Sequence, residues 1–326
     1  MDVESLSKRR LVISSGRSHP ELAAAIATQL GLVLTEPNLR EFANGEIHCR
    51  FDDSIRGSDV FIVQTHCRPV NDTVMEQLIM IDAAKRASAK RITAVIPNYG
   101  YARQDRKSAG REPITAKLLA DIMQTAGVDR VLSVDFHSGQ IQGFFDVPVD
   151  HLVAAPVLEE YLKKNTDPHE LVVVAPDAGR VKVAERYSQH LGCDLALVHK
   201  TRPRGQMNVS EARHIVGDVE GRHCVVIDDM IDTAGTIVAA CDLLKSRGAA
   251  EIWVMATHAV FSDPATERLQ NAPVSRVIVT DTIPISPSRR FEKLEILSVA
   301  PIIANAIAAI FDDSSVSEIF NGENLL

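Results

Sequence analysis

Two carboxylates stand side by side at Asp228 and Asp229, and the run Asp232-Thr233-Ala234-Gly235-Thr236 follows almost at once. The residues before the pair, from Val225, are apolar, so the segment reads as a buried strand that delivers acidic groups to its carboxyl end and then turns into a helix. The first backbone N–H groups of a helix have no partner within it, and its dipole favours negative charge, so this turn suits a phosphate. The threonine hydroxyls add donors. Carboxylates are unsuited to touch a phosphate, but they accept hydrogen bonds from sugar hydroxyls beside one. A plain helix cap at Asp232 or Thr233 is the simpler reading. Capping, however, needs neither the acidic pair nor the small Ala-Gly step.

Other segments carry polar groups at corresponding places. Phe42-Ala43-Asn44-Gly45-Glu46-Ile47 is a turn with one aromatic face and groups able to bind a base edge. Asn98-Tyr99-Gly100-Tyr101-Ala102-Arg103-Gln104-Asp105-Arg106-Lys107 leaves a strand rich in cations and amides, suited to a polyphosphate. His137 stands in Asp135-Phe136-His137-Ser138-Gly139 after the strand RVLSV, and Asp177 opens Asp177-Ala178-Gly179-Arg180 after LVVVA. A lone histidine is more often structural, and Asp177 has the alternative of a cap. His199-Lys200-Thr201-Arg202-Pro203-Arg204-Gly205 is a cationic stretch suited to a lid over phosphates, or to a solvated loop.

The elements that must hold these groups alternate from end to end, β-branched runs followed by helical patterns, which is the rhythm of βαβ units. The expected class is α/β, with mainly parallel sheets flanked by helices. The second half repeats the first: DVFIVQT stands opposite HCVVIDDM and AKRITAVIPN opposite AAEIWVMATH, while each half has a Gly-Arg turn leading to a helix that closes on Leu-Gly. Two similar domains related by duplication follow, 1–150 and 151–326, with a late apolar helix, APIIANAIAAIF, that can pack on the first. Only the second half carries acidic groups at the strand end, where open parallel sheets bind ligands. Gln64 and Thr65 stand there in the first.

Composition narrows the class. The chain has 326 residues, 45% hydrophobic and 24% charged, as globular proteins do. A formal net charge of −8 argues against a nucleic-acid partner. No apolar run reaches the ~20 residues needed to span a bilayer, and the start, MDVESLSKRR, lacks the apolar core of a signal peptide. No membrane partner and a cytoplasmic address are expected. Five scattered cysteines show neither a CxxC nor finger spacing, against a disulfide framework or zinc site.

Asp228 to Thr236 resembles the ribose 5-phosphate motif shared by type I phosphoribosyltransferases and ribose-phosphate diphosphokinases. With FANGE, YARQD, DFHSGQIQGFF, PDAGR and HKTR in this order, nearly the whole chain is similar to the diphosphokinases. The resemblance implies two type I phosphoribosyltransferase-like domains, the first on the ATP and assembly side and the second with the ribose site. It also implies transfer of the β,γ-diphosphate of ATP to the 1-hydroxyl of ribose 5-phosphate, giving phosphoribosyl diphosphate and AMP for nucleotide, histidine and tryptophan biosynthesis.

By the same resemblance, Phe42, Asn44, Gly45, Glu46, Arg103 and Gln104 would bind ATP, and His137 and Asp177 would hold Mg2+. Asp228, Asp229, Asp232, Thr233, Ala234, Gly235, Thr236 and Arg202 would bind ribose 5-phosphate, with Lys200 and Arg202 catalytic. A homohexamer is implied, with inorganic phosphate activating at an allosteric anion site that includes Gln142, Ser315 and Ser317. Gly139 stands where many regulated members have serine, which removes a donor. The alternatives are a type I phosphoribosyltransferase and a non-catalytic regulatory subunit. The first has no reason to carry the three earlier motifs. The second would be expected to lose Lys200, Arg202, Asp228 or Asp232, all present.

Overall fold

The β-branched runs become strands, and the alanine- and leucine-rich stretches between them become helices. The structure, a computed structural model, describes residues 9–201 and 211–317. The chain divides into two units. The first runs to Val153 and takes back Thr282–Pro284 and the chain from Val299; the second comprises Ala154–Asp281 and Ile285–Ser298.

In the first unit, β1 (Leu11–Ser15), β4 (Asp59–Val63), β5 (Arg91–Ile96), β6 (Arg130–Val134) and β7 (Val149–Leu152) form one sheet in that order, every neighbouring pair parallel. Between its strands run α1 (Pro20–Gln29), α2 (Val70–Arg86) and α3 (Thr115–Ala126). A parallel sheet covered on both faces needs strands that are apolar throughout, and every residue of β4 is buried. Val60 and Ile62 of β4 share a core with Met80 and Ile81 of α2 and Leu119 and Met123 of α3. β2 (Asn38–Glu41) and β3 (Ile47–Arg50) form a separate antiparallel hairpin.

The second unit holds α4 (Ala155–Asn165), β8 (Leu171–Ala175), α5 (Val181–Leu191), β9 (Asp194–Thr201), β10 (Glu211–Val216), β11 (His223–Ile231), α6 (Gly235–Ser246), β12 (Glu251–Ala259), α7 (Ala265–Asn271), β13 (Arg276–Thr280) and β14 (Leu294–Leu297). Strands β8, β11, β12, β13 and β14 repeat the order of the first sheet. Here the hairpin joins the sheet, with β9 parallel to β8 and β10 antiparallel to β9. The last helix, α8 (Ala300–Phe311), belongs to the first unit, where it packs against α1 and buries Ile303 and Ile307. The expected α/β class with two similar, mainly parallel units is borne out. Among the described residues, no helix is long and apolar enough to cross a membrane.

One detail of register sets up the site. β11 pairs with β8 only as far as Val226 opposite Val174, but with β12 as far as Ile231 opposite Ala259. Asp228 and Asp229 therefore lie on a stretch of strand that has outrun its β8 neighbour.

Candidate active site

Beyond Ala175 the chain leaves β8 through a turn that Asp177 closes, its Oδ1 accepting the Gly179 N–H at 3.0 Å. The turn aims Arg180 at the stretch of β11 that β8 no longer covers. Arg180 Nε lies 2.9 Å from Asp228 Oδ1, and its Nη2 meets Asp229 Oδ1. Asp228 Oδ1 also accepts the Asp229 N–H at 2.8 Å. One guanidinium thus bridges two carboxylates in a fixed fork. Burial, and then the Asp229 charge beside it, push Asp228 up to about 7, with Arg180 pulling the other way.

The turn after β11 leads directly into α6. Residue Ala234 occupies the N-cap of α6 in the left-handed region (φ 60°) and makes no side-chain cap bond. The N-cap position itself therefore belongs to neither Asp232 nor Thr233. A non-glycine residue in that conformation costs about 1–3 kcal/mol, and such strain clusters at ligand clamps. Arg268 Nη1 donates to the Thr233 carbonyl at 2.9 Å and pins the loop from α7. A Cβ on Gly235 would stand 3.3 Å from that same Nη1, so glycine lets the turn lie against Arg268. Thr233 and Thr236 are exposed, and Asp232 and Gly235 half-buried. The helix start thus combines N–H groups that have no partner within α6 with hydroxyl groups at the surface.

In the first unit, Phe42, Asn44, Gly45 and Glu46 form the tip of the β2–β3 hairpin. The Phe42 N–H donates to the Glu46 carbonyl at 2.8 Å, the Glu46 N–H to Asn44 Oδ1 at 3.2 Å, and Gly45 takes φ 88°. Phe42 is 46% exposed, an aromatic face open for stacking, with the Arg40 guanidinium 5.5 Å from its ring centre. Arg103 and Gln104 are exposed on a single tight turn, Ala102–Gln104, where Thr115 donates to Gln104 Oε1. Gln140 donates to Asp105 Oδ2 at 3.0 Å, tying the loop after β6 to the loop after β5, and half-buried His137 belongs to the former. Gln142 is exposed there, while Ser315 and Ser317 bond each other at 2.7 Å.

Lys200 lies in β9, its backbone in register with Ala212 of β10. Arg202 lies outside the described residues, as does most of the cationic stretch. Among the described residues, no three His, Cys, Asp or Glu side chains gather into a metal cage. Magnesium keeps waters and takes few protein oxygens beside substrate phosphates, and Asp177 brings a carboxylate to the turn after β8. Sequence reasoning missed the roles of Arg180 and Arg268. The Gly-Arg turn repeated in both halves was the available signal for Arg180; nothing in the sequence marked Arg268.

Residues 11–127 match the N-terminal domain of ribose phosphate pyrophosphokinase, and residues 200–321 the phosphoribosyl synthetase-associated domain. The chain is 51% identical over 319 residues to a ribose-phosphate pyrophosphokinase of Streptomyces coelicolor, covering 98% of each, and 53% identical over 316 residues to that of Corynebacterium efficiens, covering 97% of each. The crystal structure of phosphoribosylpyrophosphate synthetase from Mycobacterium smegmatis superposes with a TM-score of 0.89 at 51% identity, over 94% of this chain and 100% of that one.

Proposed function

This chain belongs to the ribose-phosphate pyrophosphokinase family, and we propose that it moves the β,γ-diphosphate of ATP onto the 1-hydroxyl of ribose 5-phosphate, releasing AMP. The observation that carries this reading is the acidic strand end at Asp228 and Asp229, bridged by Arg180 and followed by an α6 start with Ala234 at its N-cap. A sugar that bears a phosphate fits both halves of that arrangement.

Asp228 and Asp229 accept hydrogen bonds from the ribose hydroxyls. The backbone and hydroxyls of Asp232 to Thr236, with Arg202, hold the 5-phosphate. Phe42 stacks on the adenine, Asn44, Gly45 and Glu46 meet its edge, and Arg103 and Gln104 bind the nucleotide. The 1-hydroxyl gives its proton up to water as its oxygen bonds to the β-phosphorus, and the bond from that phosphorus to the oxygen of AMP breaks, its electron pair leaving with AMP. Lys200 and Arg202 neutralise the charge that gathers on the transferred group, and holding both substrates removes much of the entropy of bringing them together. Asp177 and His137 would hold Mg2+, which supplies charge neutralisation on the ATP phosphates. No covalent enzyme intermediate is needed.

The same family reading extends to a homohexamer, a cytoplasmic address, and an anion site at Gln142, Ser315 and Ser317 where inorganic phosphate activates. Incubation with ribose 5-phosphate and Mg-ATP should release AMP in step with phosphoribosyl diphosphate. Release of diphosphate from phosphoribosyl diphosphate and a base, with no AMP from ATP, would make the chain a phosphoribosyltransferase instead. A rate that stays flat as phosphate is varied at fixed magnesium would remove the activation.

A further inference from the structure

His66 lies just beyond β4, only 2% exposed. Its surroundings determine which ring nitrogen carries the proton. Nδ1 receives the Gly100 N–H at 2.9 Å, and a backbone N–H can only donate, so Nδ1 bears a lone pair. The proton is then on Nε2, which donates to Gln77 Oε1 of α2 at 2.8 Å. The Gln77 amide in turn donates to the Ile62 carbonyl of β4 at 3.4 Å. Burial pushes the imidazole down to about 4, so the acceptor persists at neutral pH.

The backbone is tied at the same point. The His66 N–H donates to the Asn98 carbonyl at 3.0 Å, and Asn98 Nδ2 returns a bond to the His66 carbonyl at 2.7 Å. A Cβ on Gly100 would fall 3.0 Å from His66 Cβ and 3.2 Å from Nδ1, so the ring and the Gly100 backbone are in close contact. The next residue, Tyr101, takes the left-handed region at φ 59°, and the turn Ala102–Gln104 starts directly after it. From the other side, Tyr99 packs on the His66 ring with centroids 5.9 Å apart, its hydroxyl donating to the Ala116 carbonyl of α3 at 3.0 Å.

We infer that His66 is a positioning residue for nucleotide binding, its unprotonated Nδ1 holding Gly100 so that Tyr101 turns and Arg103 and Gln104 are presented in their working orientation. The inference rests on the reading of Arg103 and Gln104 as nucleotide contacts.

Two polar substitutions separate positioning from mere filling of the core. His66→Asn keeps an acceptor where Nδ1 stands and gives up the reach to Gln77. His66→Gln keeps the reach and gives up the acceptor. With the full-length protein, His66→Gln should raise KM for ATP about tenfold, the scale of one buried hydrogen bond left unmade, with KM for ribose 5-phosphate within twofold of wild type. His66→Asn should keep KM for ATP within about threefold of wild type, although thermal melting shows it destabilised by loss of the Gln77 bond. Equal effects of the two variants on ATP, the reverse order, or an equal rise in both KM values would overturn the assignment. Calorimetric titration with ATP keeps it separate from the activity: wild-type protein that makes no AMP would defeat the proposed reaction, while the Kd values of the two variants would still decide the role of His66.

Discussion

The Gly-Arg turn occurs once in each unit and leads to opposite results. After β1, Gly16-Arg17 bends back so that the Arg17 guanidinium and N–H both reach Glu76 of α2. After β8, Gly179-Arg180 reaches instead the carboxylates of β11 itself. The neighbouring strand end in the first unit is filled with protein. Gln64 accepts from the Ser18 N–H and hydroxyl and donates to the Thr73 carbonyl and Glu76, so its amide is satisfied on every side. Thr65 is held by its hydroxyl on the Thr282 carbonyl at 2.6 Å. The corresponding end in the second unit presents the acidic pair and runs into a helix start with Ala234 at its N-cap. One framework, used twice, can therefore seal one strand end with hydrogen bonds to its own side chains and leave the other with a pair of carboxylates.

The hairpins diverge in the same way, and the largest expected effect tests that. The hairpin in the first unit offers an exposed Phe42, and the one in the second carries Lys200. Lys200→Ala should lower kcat at least ~100-fold, the scale of one preorganised transition-state contact. Phe42→Ala should fall on KM for ATP and spare kcat. Wild-type turnover by the lysine variant in a steady-state assay would put the two hairpins on the same footing.

Next comes the arginine. Arg180→Gln should raise KM for ribose 5-phosphate by roughly tenfold or more, because hydrogen bonds between charged groups are stronger than neutral ones. The measurement is substrate titration at saturating Mg-ATP, and an unchanged KM would reduce Arg180 to the structural role of Arg17.

A pH series sharpens the same contrast. Asp228 binds its proton more tightly in the folded protein than in the unfolded chain, so it contributes less to stability as the pH rises from the ordinary carboxylate range towards about 7. Over the same rise the ionised acceptor forms, and kcat/KM for ribose 5-phosphate should climb to a plateau above about 7. Arg180→Gln removes the charge that lowers Asp228, and the limb should move to higher pH.

The smallest effect concerns the two glycines of these turns. A Cβ on Gly16 would lie 2.2 Å from Gln64 Oε1, which four hydrogen bonds prevent from yielding. Gly16→Ala should cost about 1–3 kcal/mol, as overpacking does, and lower Tm. A Cβ on Gly179 meets only Asp177 Oδ1, at 3.2 Å. Gly179→Ala should change Tm less, and equal shifts in the two melting curves would show that the first strand end is not sealed as described.

Much of this was legible in the residues. The apolar runs specify strands buried on both faces, the internal repeat specifies two like units, and Asp228, Asp229 and the small residues to Thr236 specify an acidic strand end running into a helix, because period, side-chain volume and charge are local properties. The part played by Arg180 was not legible, since it depends on β8 ending short of β11 and leaving one flank of the acidic pair uncovered. The protonation of His66 was equally hidden: which nitrogen holds the proton is decided by Gly100 on one side and Gln77 on the other, residues 34 and 11 positions away. Sequence alone determined which groups were available and on which elements they stood. Only the tertiary structure decided which charges face one another, because desolvation and pairing depend on neighbours that the chain brings together by folding.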